Sequence, residues 1–268
     1  MKVLVVVQAR TGSSRLPGKV LLSLAGRPVL ERLVERIRAA KTEFDICVAT
    51  TPALEDEPIR LLARRLAVRV FSGHPTDLLD RHYRAGLSAG ADVVVKIPSD
   101  CPLIDPGVID RVLGAFERKA GGVDFVTNLN PPSWPDGNDV EVIPMDVLAI
   151  ARAEARTSFE REHTTPFIWR RPERFRITNV RWDADIDLSA THRFTLDYAD
   201  DYALIRALYE ALYRADRPVF TLDEILTYLA QNPEVHRLNQ RFWGQTYVSA
   251  EAHSEPPPDR LLVKENPC

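Results

Sequence analysis

Cysteine is scarce in this sequence: only Cys47, Cys101 and Cys268 occur among its 268 residues. Three unevenly spaced cysteines neither build a disulfide framework nor match the spacing of a zinc site. Cys47 lies in an apolar, strand-like stretch, which predicts an ordinary core residue. The cysteine content therefore argues against a disulfide-stabilised scaffold and against a cysteine-based metal centre.

Long apolar runs and a basic surplus are missing as well. No apolar stretch approaches the ~18 residues that a membrane helix requires, and the sequence opens on a strand-like stretch, which predicts no signal peptide. The formal net charge is −3, whereas nucleic-acid-binding proteins usually carry a positive surplus. We therefore expect a cytoplasmic protein with neither a membrane nor a nucleic acid as its partner.

Lysine is also rare, which draws attention to Lys19 in the stretch "QARTGSSRLPGK" at residues 8–19. This stretch follows a strongly apolar strand and also contains Arg10 and Arg15. Three positive charges among hydroxyl and amide donors predict a solvent-facing loop that binds an anion such as phosphate. The alternative interpretation is a solvated polar loop without a ligand.

Two well-known phosphate-binding signatures do not match this loop. A P-loop has four residues between its glycines and Ser or Thr after its lysine, but Gly12 and Gly18 enclose five residues and Val20 follows the lysine. The G-x-G-x-x-G dinucleotide fingerprint is not matched either. A phosphate would instead face backbone N–H groups near residues 12–14.

Strand-like runs alternate with amphipathic helical patterns through residues 2–129. Strands are predicted at residues 2–8, 44–51, 68–73, 92–97 and 123–129, and helices at 28–41, 57–67, 76–90 and 105–119, with Thr76 and Asp105 as N-caps. The strands are apolar on both faces, as in a parallel sheet covered by helices. The pattern predicts the α/β class, with a mostly parallel, Rossmann-like sheet that binds ligands at the carboxyl ends of its strands.

The pattern changes after residue 129. Strands are predicted near residues 175–181 and 191–197, and helices near 144–155, 158–170, 200–213 and 221–230. We interpret residues 1–248 as a single domain that comprises a core at 1–129, a smaller added lobe at 130–198 and C-terminal helices at 199–248. The polar, proline-rich tail at 249–268 is predicted to be disordered.

Two aspartates are predicted at strand ends. Asp100 follows the strand at 92–97, and Asp197 ends the strand predicted at 191–197. An acidic residue at a strand end beside a cationic loop is a common arrangement for holding Mg²⁺ against phosphates. The alternatives are a turn for Asp100 and a helix-start role for Asp197.

Six stretches, in order along residues 1–245, carry a resemblance to a known family. The chain resembles the sugar cytidylyltransferases of the acylneuraminate and Kdo type, and more closely the spore coat polysaccharide biosynthesis protein F (SpsF-like) family. The stretches are "QARTGSSRLPGKVLLSLAGRPVLERLVERI", "VFSGHPTDLLDRHYRA", "SDCPLIDPGVIDRV", "PDGNDVEV", "EREHTTPFI" and "TLDYADDYALI".

This resemblance implies a GT-A nucleotidyltransferase fold and a reaction in which a nucleoside triphosphate, preferably CTP, activates a sugar for surface polysaccharide synthesis. It implies Mg²⁺ as the cofactor, held by Asp100 and Asp197, and catalytic roles for Lys19, Arg15 and Asp100. The nucleotide-binding residues that it implies are Gln8, Ala9, Arg10, Ser14, Arg15, Lys19 and Ser99. One departure is the pair Pro98-Ser99, which stands where relatives that make CMP-Kdo carry a glutamine-glycine pair that helps to read the base.

Nonulosonic acids and other surface-polysaccharide sugars are the candidate acceptors, and the added lobe is the expected binding site. The candidate sugar-binding residues are Asp136, Asp139, Glu141, Glu162 and His163. By itself, His163 fits a structural role as well as it fits contact with substrate. The resemblance also implies a homodimer formed through this lobe.

Two other functions stay open at the level of the sequence. A GT-A glycosyltransferase would use a nucleotide sugar, but its metal usually sits on a D-x-D pair, and "PSDCP" contains a single aspartate. A non-catalytic sugar-nucleotide-binding protein would have no need of Lys19, Asp100 and Asp197 together. Release of pyrophosphate distinguishes the nucleotidyltransferase from both alternatives.

Overall fold

The computed structural model describes residues 1–119, 121–182 and 186–245, so the tail at 249–268 lies outside the described residues. Within these ranges no helix is both long and apolar enough to cross a lipid bilayer. The strands are β1 (Val3–Gln8), β2 (Ser23–Leu24), β3 (Arg27–Pro28), β4 (Asp45–Thr50), β5 (Arg69–Ser72), β6 (Val93–Pro98), β7 (Phe125–Thr127), β8 (Glu141–Pro144) and β9 (Ile177–Asn179). The α-helices are α1 (Val29–Arg38), α2 (Glu57–Arg65), α3 (Leu78–Ala89), α4 (Pro106–Arg118), α5 (Met145–Glu154), α6 (Ser158–His163), α7 (Pro166–Trp169), α8 (Ala199–Leu212), α9 (Leu222–Gln231) and α10 (Pro233–His236).

Seven strands form one sheet in the order β5-β4-β1-β6-β8-β7-β9. The first four run parallel to one another, and helical crossovers connect them. One hydrophobic core lies beneath α1, α4, α8 and α9, and a second lies on the opposite face beneath α3, α5 and α7. The predicted α/β class, with a mostly parallel sheet and helices on both faces, is confirmed.

Strand β1 shows why the sequence of this sheet reads as continuously apolar. Val5 and Val7 point into the first core, whereas Leu4 and Val6 point into the second. Because successive side chains of a strand point to opposite faces, a strand buried on both faces needs apolar residues at every position.

The sheet beyond β6 has an order that the sequence pattern did not predict. Strand β8 lies antiparallel between β6 and β7, and β9 pairs parallel to β7 at the edge. Residues 130–198 therefore contribute strands to the same sheet as the first 129 residues. The carboxyl ends of β1 and β6 are neighbours in this sheet, which brings the loop at residues 8–19 close to Asp100.

The strand predicted at residues 191–197 is not formed. The segment is extended, but its pairing is limited to an isolated bridge between Asp136 and Arg193. Its backbone hydrogen bonds run to two different places, from Phe194 N to Asp136 O and from Leu196 N to Asp100 O, each at 2.7 Å. A segment that divides its hydrogen bonds in this way cannot form a regular ladder.

Two helix predictions also require correction. Asp77, not Thr76, caps α3, because the Asp77 side chain accepts a hydrogen bond from Asp80 N. The single helix predicted at 158–170 is broken into α6 and α7 at Thr164, whose φ of 73° lies outside the right-handed helical region. Asp105 caps α4 as predicted, with Gly107 N donating to its Oδ1.

Candidate active site

The loop at residues 8–19 is anchored from beneath by Asp56, which precedes α2. Asp56 Oδ1 accepts hydrogen bonds from Thr11 N and Thr11 Oγ1, both at 2.8 Å, and Oδ2 accepts one from Thr51 Oγ1. Burial alone would raise the pKa of Asp56, but these hydrogen bonds hold it below its ordinary value. An ionised Asp56 therefore fixes the start of the loop.

The rest of the loop leaves donors unused. In the part of the chain that the structure describes, the backbone N–H groups of Gly12, Ser14 and Arg15 donate no hydrogen bond. Arg10 is exposed, and its guanidinium makes one long hydrogen bond, 3.3 Å to Pro75 O. Free backbone amides beside a guanidinium form a suitable cradle for phosphate oxygens.

Lys19 connects this loop to both predicted metal ligands. Its Nζ donates to Asp100 Oδ2 and to Asp197 Oδ1, each at 2.9 Å. Burial would lower the pKa of Lys19, but the two carboxylates outweigh it and raise that pKa. Asp100 shows the reverse effect, because Lys19 lowers its pKa against the influence of burial.

The expectation that Lys19 faces solvent is wrong. Lys19 is 9% exposed. It begins a short 3₁₀-helix, Lys19–Leu21, in which Lys19 and Val20 are both buried. Arg15 keeps the expected exposed position, with 52% of its side chain accessible while its Nη2 donates to Asp197 Oδ1 at 2.8 Å. Lys19 and Arg15 therefore donate to the same oxygen of Asp197, one from a buried position and the other from an exposed one.

An aromatic pair supports Arg15 at the rim. The guanidinium lies 5.3 Å from the centroid of the Tyr198 ring, and that ring stacks on Phe242 at 3.9 Å with an angle of 4°. A guanidinium over an aromatic face is held by the cation–π attraction. Arg15 is therefore oriented by both Asp197 and Tyr198.

Arg193, which the sequence did not single out, lies behind Asp197. Its side chain is 4% exposed. Nη2 donates to Asp197 Oδ2 at 2.9 Å, Nε to Asp201 Oδ1 at 3.1 Å, and Nη1 to Asp136 Oδ2 at 3.0 Å. One buried guanidinium thus joins three carboxylates. No sequence pattern marks it, because the extended segment that carries it has no periodic signature.

The charges of this cluster fit a divalent cation. Four aspartates, at positions 100, 136, 197 and 201, are paired with three cations, at positions 15, 19 and 193, so negative charge is in excess. Asp100 Oδ1 accepts only a weak contact from Cys101 Sγ at 3.8 Å within the described residues. No group of three or more Asp, Glu, His and Cys side chains in those ranges is arranged to hold a metal. In the described chain Asp100 Oδ1 therefore has no cation beside it, whereas both oxygens of Asp197 accept from Arg15, Lys19 or Arg193, so a Mg²⁺ ion at these two carboxylates would displace part of this pairing.

Two of the carboxyl groups predicted to bind the sugar have raised pKa values, mainly because they are buried. Burial raises the pKa of Asp136 to about 6, although Arg193 and Thr195 oppose it. Burial, together with Asp136 and Asp100, raises the pKa of Asp139 well above its ordinary value. Both groups therefore lie in the electrostatic field of the Asp100 carboxylate.

Gly137 explains how Asp136 approaches the centre of the cluster. It has φ of 102°, and a Cβ at this position would lie 2.7 Å from Phe194 C. Only glycine allows the backbone to pass so close to the extended segment. This approach brings Asp136 within reach of both Arg193 and Thr195 Oγ1.

The other predicted sugar-binding residues are less accessible or lie farther along the lobe. Glu141 is 1% exposed, forms an ion pair with Lys96 and accepts a hydrogen bond from Thr165 Oγ1 at 2.7 Å. Both of its oxygens are therefore occupied. Glu162 is exposed. Burial and the charge of Lys96 lower the pKa of His163 to about 4, so its imidazole is neutral at physiological pH.

Three predicted nucleotide-binding residues lie at the ends of β1 and β6. Gln8 ends β1 opposite Pro98, Ala9 donates from its backbone N to Ala49 O at 3.0 Å, and Ser99 is nearly buried. The buried Oε1 of Gln8 has no hydrogen-bond partner among the described residues. A buried acceptor without a donor is costly unless a ligand or water supplies one.

Comparison with known proteins points in one direction. A sequence profile of the cytidylyltransferase family matches residues 4–226, which include the loop at residues 8–19, Asp100 and Asp197. The chain is 34% identical over 251 residues to an uncharacterized protein of Methanocaldococcus jannaschii, a match that covers 94% of this chain and 100% of that protein. It is 30% identical over 238 residues to the spore coat polysaccharide biosynthesis protein SpsF of Bacillus subtilis, covering 87% and 95%.

Solved structures agree with the sequence matches. A cytidylyltransferase from Leptospira borgpetersenii serovar Hardjo-bovis superposes with a TM-score of 0.82 at 28% identity, over 92% of this chain and 98% of that one. A CMP:2-keto-3-deoxy-manno-octonic acid synthetase complexed with CTP superposes with a TM-score of 0.58 at 18% identity, over 78% and 99%. The second match shows the fold alone.

Proposed function

Because the chain belongs to the cytidylyltransferase family, we propose that it uses CTP and Mg²⁺ to activate a sugar, giving a CMP-sugar and pyrophosphate. The proposed destination of the product is surface polysaccharide. The observation that carries this proposal is the contact of Lys19 with both Asp100 and Asp197 beside a loop that has free backbone amides. The three residues are remote in sequence and meet where two strands end.

In the proposed reaction a sugar hydroxyl attacks the α-phosphorus in line. The new O–P bond forms as the bond to the pyrophosphate oxygen breaks, and the hydroxyl proton passes to solvent. The protein has to orient the reactants and neutralise charge on the leaving pyrophosphate. Arg10, Arg15 and the backbone amides of Gly12, Ser14 and Arg15 are the proposed phosphate contacts.

Lys19 can donate a hydrogen bond to a phosphate oxygen while it keeps its hydrogen bonds to Asp100 and Asp197. An ammonium has three donors, and two of them are used by Asp100 and Asp197. The third is available to a phosphate oxygen. Mg²⁺ held by the same two aspartates would supply further positive charge to the phosphates.

The base is proposed to lie at the ends of β1 and β6, against Gln8, Ala9 and Ser99. The Oε1 of Gln8 has no partner among the described residues and is therefore an acceptor available to the base. Cytosine presents an amino group where uracil presents a carbonyl oxygen, so this acceptor favours cytosine. The sugar is proposed to lie on the side of Asp136, Asp139, Glu162 and His163, with Glu141 acting through its contacts with Lys96 and Thr165. A homodimer stays a prediction from sequence.

The test is a pyrophosphate-release screen of the purified protein with Mg²⁺, each of the four nucleoside triphosphates and a panel of acidic sugars. We expect sugar-dependent release with CTP, and none from Asp100→Asn. Asp216→Asn is a matched control, since the Asp216 side chain is 71% exposed and pairs with Arg214, which is not part of this cluster. Release of a nucleoside mono- or diphosphate from a nucleotide sugar, without pyrophosphate, would contradict the proposal.

A further inference from the structure

Arg193 contacts three carboxylates, although its own segment is held in place by other hydrogen bonds. The backbone at the start of helix α8 is capped by Asp201, whose Oδ2 accepts hydrogen bonds from Asp197 N at 3.0 Å and Tyr198 N at 2.9 Å and whose Oδ1 also accepts one from Asn239 Nδ2 at 2.8 Å. The segment that carries Arg193 is also fixed by its own backbone, through Phe194 and Leu196. The main effect of the guanidinium is therefore on the positions of the side chains around it.

The two oxygens of Asp197 have separate partners. Oδ2 accepts from Arg193 Nη2 at 2.9 Å, while Oδ1 accepts from Lys19 and Arg15 at 2.9 and 2.8 Å. A carboxylate with one oxygen held by a buried guanidinium cannot rotate freely. Arg193 thereby keeps Oδ1 turned toward the loop cations.

The same guanidinium reaches the sugar side. Nη1 donates to Asp136 Oδ2 at 3.0 Å and also to the backbone oxygen of Gln245 at 2.9 Å. Asp136 is held in turn by Thr195 Oγ1 at 3.1 Å. One planar group thus fixes the relative position of a carboxylate facing the phosphates and a carboxylate on the acceptor side.

We propose that Arg193 is a positioning residue for the transfer reaction, one that aligns Asp197 toward Lys19 and links that alignment to Asp136. This inference rests on the proposed function for its role in turnover. The alignment itself can be measured without turnover. Lysine cannot replace this arginine fully, because a single ammonium lacks the planar fork that reaches three carboxylates.

The experiment follows the reaction of individual lysines with acetic anhydride by mass spectrometry. Lys19 and Lys96 are both buried and both paired with carboxylates, but Lys96 pairs with Glu141 and has no contact with Arg193. In Arg193→Met we expect Asp197 to turn away from the loop, so that Lys19 loses its hydrogen bond to Asp197 Oδ1. Loss of this one charge-assisted hydrogen bond should accelerate the acetylation of Lys19 by about tenfold. Acetylation of Lys96 should stay within about twofold of the wild-type rate.

Arg193→Lys is the second variant, for the case in which Arg193→Met fails to fold. Arg36→Lys is the matched control, since Arg36 is fully buried but donates to the backbone oxygens of Leu103, Ile104 and Phe220. We expect Arg193→Lys to accelerate the acetylation of Lys19 but not that of Lys96. It should also lower kcat by at least about tenfold, with KM for CTP within about threefold of the wild-type value. Arg36→Lys should change neither the ratio of the acetylation rates of Lys19 and Lys96 nor kcat.

Two outcomes overturn the inference. If acetylation of Lys19 and of Lys96 accelerates equally, Arg193 supports the fold in general. If neither reaction accelerates, Asp197 is aligned without Arg193. A wild-type protein that releases no pyrophosphate from any triphosphate would contradict the proposed function. The acetylation result would be unaffected, so the two failures are distinguishable.

Discussion

The ammonium of Lys19 lies 2.9 Å from the carboxylate of Asp197, although 178 residues separate the two in sequence. The same nitrogen lies 2.9 Å from Asp100. Two carboxylates that share one cation repel each other when that cation is removed. Lys19 is therefore part of the stability of the protein as well as part of the proposed phosphate site.

Lys19→Met and Arg15→Met are expected to differ in stability but not in nucleotide binding. Each should weaken triphosphate binding by about ten- to a hundredfold, since each removes a charge-assisted hydrogen bond of about 1.5–3 kcal/mol. Only Lys19→Met should lower the melting temperature clearly in the absence of metal, because Lys19 is buried between carboxylates while Arg15 is half exposed. Calorimetric titration and thermal melts measure the two effects.

Lys41→Met serves as the control for these variants, because Lys41 is exposed. It should leave both binding and melting unchanged. Millimolar Mg²⁺ should restore part of the stability lost in Lys19→Met, since a divalent cation replaces the missing charge. Unchanged triphosphate binding in both loop variants would mean that the loop at residues 8–19 is only a structural connection.

CTP is expected to stabilise the protein more than ATP, GTP or UTP does. A ligand present at a hundredfold excess over its dissociation constant adds about 2.7 kcal/mol of stability. Thermal melts with each triphosphate and Mg²⁺ measure this directly. A preference for a purine triphosphate would contradict the assignment of CTP, and only the fold of the family would then be retained.

Gln8→Leu is expected to reduce the advantage of CTP over UTP by about five- to thirtyfold, the effect of about 1–2 kcal/mol from one lost hydrogen bond. The reason is that the buried Oε1 of Gln8 has no partner within the described part of the chain. Affinities for CTP and UTP in wild type and variant give the ratio. An equal loss for both nucleotides would remove Gln8 from base discrimination.

The sequence predicts the first part of the fold well, for a physical reason. Strands β1, β4, β5 and β6 are connected by local crossovers, and apolar runs and helical periodicity are local signals. The insertion of β8 between β6 and β7 is not local, because it depends on pairing between segments distant in the chain. Short strands such as β9, with three half-buried residues, leave almost no pattern to read.

The candidate site divides in the same way. Lys19 and Asp100 follow strands, so their position at one sheet edge could be inferred from sequence. Arg193 and Asp56 could not, because each acts through partners that only the folded chain brings near. The burial of Lys19 was also missed, since it depends on the short 3₁₀-helix that begins at this residue and on the two aspartates that its ammonium contacts.

His82 should make the protein sensitive to mild acid. Burial lowers the pKa of His82 to about 3, against a backbone hydrogen bond with Leu78 O that favours the charged form, whereas an unfolded histidine titrates near about 6.5. The neutral imidazole therefore contributes stability that is present above pH 6.5 and is lost as pH falls toward the folded value. Below pH 6.5 the expected slope is up to about 1.4 kcal/mol per pH unit.

Urea unfolding of wild type and His82→Asn between pH 7.5 and 4.5 measures this slope. The variant should lose less stability than wild type over the interval, whatever its stability at neutral pH. His74→Asn, at an exposed histidine, should keep the wild-type slope. Parallel curves for wild type and His82→Asn would show that His82 is protonated in the native state.

Asp100→Asn and Asp197→Asn provide the sharpest test, because only the proposed site joins these two residues. Each change keeps the size of the side chain and removes its charge. If both carboxylates serve one reaction centre, each single change should abolish most turnover and the double change should cost little more, since residues that act as a unit are not additive. If they have separate structural roles, each should instead cost about 1 kcal/mol of stability, and the two costs should add. Steady-state pyrophosphate release and urea unfolding on the same four proteins separate the two cases. An Asp197→Asn enzyme of normal rate would remove Asp197 from the mechanism and leave it as a partner that holds Lys19 and Arg15 in place.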